Sequence, residues 1–141
     1  MSQSTHEDLV PVHGGLDELV DRIVPLKHRA SFLAEADGLP SIRLSSADLA
    51  TVHRLADGAL SPLTGPMKKE AFDRVLAERV VLSRGGRHAW AIPISLPLTD
   101  AEADALSGKD ACALRTEAGE VVAIVDDLEV FDWDKPAYLQ S

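Results

Sequence analysis

Leu55-Ala56-Asp57-Gly58-Ala59-Leu60-Ser61-Pro62-Leu63-Thr64-Gly65-Pro66-Met67 is the stretch on which the fold turns. It places two glycines and two prolines in 13 residues, between two segments with helical periodicity. Gly58 suits the position just past a helix, where a residue without Cβ takes positive φ at little cost. Ser61-Pro62 and Gly65-Pro66 force extended or turn backbone at the residue before each proline. Leu60, Leu63 and Met67 recur through the run. It therefore reads as a rigid connector packed on a core rather than as a binding loop.

Upstream, Ser41–Leu44 alternates as a strand, and Ser45-Ser46 caps a helix through Ala56, with Asp48 in its first turn. Leu49, Val52, Leu55 and Ala56 make the buried stripe of that helix, with His53 beside it. Pro25 opens an earlier helix that Gly38 closes, with Leu26, Ala30, Leu33, Ala34 and Asp37 at helical spacing. Leu16–Val24 has helix-like spacing, although Val20, Ile23 and Val24 fit a strand end equally well. His13-Gly14-Gly15 reads as a tight corner, and Met1–Asp8 as a disordered start. Downstream, Lys68–Arg79 is the clearest helix, with Phe72, Val75, Leu76 and Arg79 recurring at three- and four-residue steps.

The second half is strand-like. Val80–Leu82 and His88–Leu96 form a hairpin around Ser83-Arg84-Gly85-Gly86-Arg87. In its second strand His88, Trp90, Ile92, Ile94 and Leu96 share a face. Pro93 puts that strand at an edge or a bulge, and Pro97 ends it. Thr99-Asp100-Ala101-Glu102 is a capping box for a short helix to Leu106. Ala111–Thr116 and Glu120–Asp126 form a second hairpin. Its apolar run Val121–Val125 reads as a central strand. Leu128–Trp133 reads as a last strand, and residues 136–141 as a polar tail. The expected class is α+β, a small β-barrel with flanking helices.

Bulk properties exclude several functions. The 141 residues make one domain, or one domain with a small appendage, and the net charge of −9 argues against a general phosphate-backbone binder. No run approaches the ~20 apolar residues of a membrane span. The single Cys112 excludes an intrachain disulfide and points to a cytoplasmic setting.

No catalytic constellation is visible. His6, His13, His28, His53 and His88 lack ligand-type spacing, so no metal site is expected. Cys112 reads as an inert core residue, and Asp126-Asp127 as a turn or bulge. Two basic groups remain as candidate anion- or RNA-binding residues: Lys27, His28 and Arg29 near the start of a helix, and Arg84 and Arg87 around a glycine turn. Both also fit solvated surface.

The pattern Leu-Ala-x-Gly-x-Leu-Ser-Pro-Leu-x-Gly-x-Met over residues 55–67 resembles the signature of the N-terminal, PUA-like domain of ATP sulfurylases (sulfate adenylyltransferases). His13-Gly14-Gly15, Leu39-Pro40-Ser41 and Trp90-Ala91-Ile92-Pro93-Ile94-Ser95-Leu96 match it in order, and Leu128–Lys135 resembles that domain's last strand. The resemblance covers residues 9–135. Pro66 departs from it, standing where the family shows an aromatic residue. The resemblance implies a PUA-like fold. The full enzymes make adenosine 5′-phosphosulfate and pyrophosphate from ATP and sulfate, with magnesium on the nucleotide. Their catalytic residues lie in a separate C-terminal domain, marked by Gln-x-Arg-Asn-Pro and His-x-x-His. Neither motif occurs in this sequence, so no catalytic residue and no cofactor is expected. A structural or interaction module follows, whose partner is a sulfurylase catalytic domain or another protein. RNA binding, known for PUA domains elsewhere, and small-anion or nucleotide binding are the alternatives. The sequence after Lys135 departs from the family's usual continuation, which tilts the reading toward a short free-standing protein over a piece of a longer enzyme.

Overall fold

A computed structural model describes residues 11–140. The expected start, residues 1–8, therefore lies outside the described residues. A 3-10 turn (Leu26–His28) leads into α1 (Arg29–Asp37) and β1 (Ser41–Arg43). α2 (Ser46–Asp57) and α3 (Lys69–Glu78) flank the connector. The hairpin β2 (Val80–Ser83) and β3 (Gly86–Ala89) follows, then α4 (Asp100–Leu106), β4 (Cys112–Arg115), β5 (Val121–Val125) and α5 (Lys135–Gln140). The chain is a mixed α and β fold. Among the described residues the strands form two separate sheets, β1-β4-β5 and β2-β3, and no closed barrel.

Local chemistry accounts for most helix ends. The Ser45 hydroxyl accepts the Asp48 N–H at 3.1 Å and starts α2, and Gly58 ends it at φ 90°. At α4 the Thr99 hydroxyl accepts the Glu102 N–H at 3.2 Å while Glu102 accepts the Thr99 N–H at 3.0 Å, a complete capping box. Arg84 and Gly85 both take positive φ (51° and 74°), which matches the right-handed twist of a two-residue hairpin.

The connector organises its surroundings as expected. Ser61 is buried and precedes Pro62 through a cis peptide bond. Its hydroxyl donates to the Gly58 carbonyl at 2.7 Å and accepts the Val20 N–H at 2.9 Å. The Arg22 N–H reaches the Ala56 carbonyl at 2.9 Å. These bonds correct the helical reading of residues 16–24. The segment is neither helix nor strand, but a strap whose Val20 N–H is taken by the connector and whose Arg22 N–H is taken by the end of α2. Leu19 and Ile23 consequently point outward.

Four other readings are corrected. The helix expected from Pro25 begins as a 3-10 turn and becomes α-helical only at Arg29; Leu26 and Leu33 are exposed and Ala36 alone is fully covered. Arg79 is an exposed cap at φ 58°, not part of the α3 core face. The strand from His88 stops at Ala89. Beyond it the backbone turns to other partners, with the Trp90 N–H on the Arg79 carbonyl and the Ile94 carbonyl on the Met67 N–H. Ile92 is exposed. The central strand is β4, not β5. β1 pairs with it in parallel (Ser41 opposite Ala113) and β5 antiparallel (Cys112 opposite Val125). Cys112, Ala113 and Leu114 are buried, whereas all five residues of β5 are only partly covered.

The C-terminal reading changes too. Leu128–Trp133 forms no strand, and α5 replaces the expected loose tail. The Leu128 N–H goes to the Asp110 carbonyl, and Phe131 packs edge-on to Phe72 with ring centroids 5.4 Å apart. Asp134 starts α5 by accepting the Ala137 N–H, and Tyr138 comes against Phe72 and Trp133.

Two buried clusters result. Ile42, Leu44, Val52, Leu106, Cys112 and Leu114 form one between the larger sheet, α2 and α4. Met67, Phe72, Val75 and Val81 form the other between the connector, α3 and the hairpin.

Candidate functional site

The glycine corner, the connector and the hairpin converge on one surface. Val12 and Leu16 bridge across His13-Gly14-Gly15, with φ 89° at Gly14 and 72° at Gly15. A Cβ on Gly14 would overlap the Pro62 ring, so glycine lets the corner sit directly on the connector. The His13 ring donates through Nε2 to the Ala89 carbonyl at 2.8 Å, and its centroid lies 5.7 Å from His88 and 6.0 Å from Trp90. The His88 Nε2 turns back to the Ser83 carbonyl at 3.3 Å. Both imidazoles thus spend a nitrogen on backbone, as structural clasps do. Among the described residues no three His, Cys, Asp or Glu side chains are placed to hold a metal ion.

Arg84 and Arg87 lie at the tip of this hairpin. Each faces a carboxylate: Arg84 is 3.9 Å from Asp17, and Arg87 donates to Glu78 at 2.9 Å. All four side chains are largely solvated, so these pairs hold little energy. Lys27 and His28 belong to the 3-10 turn and Arg29 opens α1, all three exposed. Among the described residues no hydrogen bond or ion pair joins this group to Arg84 or Arg87. Glycine spacing pointed to the corner. Asp17 and Glu78, the carboxylates opposite the arginines, carried no signal in the sequence.

A second feature is larger. An open cleft of about 1980 Å³ runs between the two buried clusters. Its walls include Ile23–Pro25, Arg29 and Leu33, and residues 121–133 with Tyr138. Met67, Phe72, Ile42 and Leu114, from the two clusters, also line it. At its edge Lys68 donates to Asp127 at 2.7 Å, a bond that raises the lysine above its ordinary range. Burial raises the Cys112 thiol, which suits a core residue and opposes thiolate chemistry.

The described residues form a small mixed α and β domain. The family model of the PUA-like domain matches residues 10–141, and the chain belongs to that family. Similar relatives include sulfate adenylyltransferases. The protein of Pyropia yezoensis is 44% identical over 131 residues, which is 93% of this chain and 30% of the relative. That of Nostoc punctiforme is 36% identical over 94% of this chain and 32% of the relative. Among solved structures, the hexameric APS kinase from Thiobacillus denitrificans superposes with a TM-score of 0.71 at 32% identity, over 84% of this chain and 23% of that one. The chain thus spans about a third of the length of the sulfate adenylyltransferases it matches. Among the described residues, no helix is long and apolar enough to cross a membrane.

Proposed function

We propose that this chain is a non-catalytic, cytoplasmic PUA-like domain of the sulfate adenylyltransferase type, and that it acts by contact with another protein domain. One observation carries this reading. The match runs over nearly the whole chain but over only about a third of each relative, so it selects one domain of a larger enzyme. The partner is the remainder of such an enzyme. Sulfate activation belongs, on this reading, to that remainder. Activation at the α-phosphate of ATP requires converging cations to stabilise the developing charge. Arg84 and Arg87 each face a carboxylate instead.

The test is an assay of the purified chain with ATP, sulfate, magnesium and pyrophosphatase. No sulfate-dependent release of phosphate is expected, and clear turnover would refute the reading. The small-anion alternative is tested by amide shifts at Ser83–Arg87 on titration with sulfate and with ATP. The RNA alternative is tested by a gel shift that weakens with salt.

A further inference from the structure

The register of β1 against β4 sets two arginines side by side. Arg43 is opposite Arg115 in that parallel pair, so both side chains leave the same face of the sheet. Neighbouring strands lie only ~4.8 Å apart, and like charges placed directly opposite each other oppose the pairing. A bulge marks the same position. β5 sets Ala123 opposite Leu114 but Val121 opposite Arg115, so Val122 is passed over. A bulge of this kind re-aims the side chain beside it. Both guanidinium groups turn onto the Glu117–Gly119 turn. Arg43 donates through Nη1 to the Glu117 carbonyl at 3.1 Å, and Arg115 through Nη1 to the Gly119 carbonyl at 2.9 Å.

The two charges are unequally answered. Arg115 lies 3.5 Å from Asp37, whose own side chain is largely solvated. Among the described residues no carboxylate forms an ion pair with Arg43. In a chain of 23 acidic and 14 basic residues, positive charge is gathered here against the overall balance. β1 is an edge strand, and a charge that only guarded the edge would extend into water. Arg43 instead folds back over the turn, its Nη2 3.9 Å from where a Cβ on Gly119 would stand. The bond to Glu117 uses one of its five N–H groups and leaves the rest of the fork available.

We propose that Arg43 and Arg115 form a binding site for a tetrahedral oxyanion, a phosphate or sulfate group, held between their guanidinium forks beside the Glu117–Gly119 turn. The planar fork of arginine matches such an anion through two parallel hydrogen bonds. The anion relieves the like-charge contact across the two strands, and Asp37 competes with it for Arg115. The net charge of −9 favours a small anion over a nucleic acid. The site belongs to the larger sheet, apart from the Arg84–Arg87 hairpin tip, and does not depend on the interaction reading given above.

Nuclear magnetic resonance of the full chain tests this by titration with sodium phosphate, sodium sulfate and sodium chloride at constant ionic strength. Phosphate or sulfate is expected to give saturable amide shifts at residues 117–120, and chloride none. Arg43→Gln alters an exposed side chain with one hydrogen bond, and is expected to weaken binding at least about tenfold. Asp37→Asn frees Arg115 and is expected to tighten binding several-fold. Glycerol 3-phosphate separates the sources of the group. A tighter response to it than to the inorganic ions assigns the site to an esterified phosphate, and a weaker one assigns it to the free anion. Shifts that never saturate, or an affinity unchanged in Arg43→Gln, would overturn the site, as would a response confined to RNA. Should Arg43→Gln fail to fold, Asp37→Asn decides: tighter binding upholds the site and unchanged affinity overturns it.

Discussion

The Glu129 carboxylate accepts the backbone N–H of Lys69, the first residue of α3, at 2.9 Å. Lys68, at the cap position, makes no side-chain cap bond to the helix. A helix start normally capped from within is here capped from the C-terminal segment. The acidic group also sits at the positive end of the helix dipole. Glu129→Ala is expected to destabilise the fold by about 1 kcal/mol, the usual worth of a cap, read as a lower urea midpoint. Asp127→Asn weakens a solvated ion pair with Lys68 while keeping a residue type that tolerates the φ of 51° at this position, and is expected to leave the midpoint unchanged.

Three glycines give a graded series. A Cβ at Gly58 would overlap the Val20 carbonyl and press on Leu19, at φ 90°. Gly58→Ala is expected to cost more than about 2 kcal/mol, from left-handed strain plus displacement of the strap. Gly85 has φ 74° but open space around it, so Gly85→Ala is expected to cost about 1 kcal/mol from strain alone. Gly65 has neither constraint, and Gly65→Ala should fall within about 0.5 kcal/mol of the parent. Denaturant unfolding of the three variants checks the order.

Ser61→Ala removes both bonds of a buried hydroxyl and leaves the Val20 N–H without its acceptor. A cost of about 1–3 kcal/mol is expected. The loss should be local first. Proteolysis within residues 16–24 should speed up before global unfolding does.

Cys112 is buried in β4, and burial raises its thiol. A folded pKa above the unfolded value means that the stabilising contribution is complete below the unfolded pKa, near 8.5, and is lost as pH rises through the folded one. Stability should therefore fall on the alkaline side of about pH 8.5. In Cys112→Ala that part of the pH dependence should vanish. Iodoacetamide should label the native protein slowly and the urea-unfolded protein fast. Fast labelling of the native chain would contradict the buried placement.

Features written in neighbouring residues were legible. Ser45 before Asp48, Thr99 before Glu102, Gly58 after Leu55 and Gly85 in the hairpin turn each solve a local backbone problem, and each lies where its chemistry predicts. Features that depend on distant partners were not. The strap at residues 16–24 has helical spacing, but its Val20 and Arg22 N–H groups are claimed by Ser61 and Ala56. Val121–Val125 is apolar on both faces, which marks partial cover on two sides and says nothing of which edges are paired. Leu128–Trp133 has strand-like composition, but its segment serves Phe72 and the start of α3 instead. At the candidate surface, the corner and the arginine turn were visible as glycine patterns. Their mutual contact, through His13 on Ala89 and Gly14 on Pro62, exists only in three dimensions.

The parallel pairing of β1 with β4 joins Ser41 to Ala113, with α2, α3 and the hairpin all between them in the chain. Bringing such remote segments together costs loop entropy before any ladder bond repays it. The hairpins and capped helices can form on their own neighbours, while the larger sheet has to wait for Cys112–Arg115 to emerge and slot between strands on either side. A ribosome-bound chain that ended before β4 would hold β1 as an unpaired edge, with Ile42 and Leu44 uncovered. Assembly of this domain is thus governed by its second half.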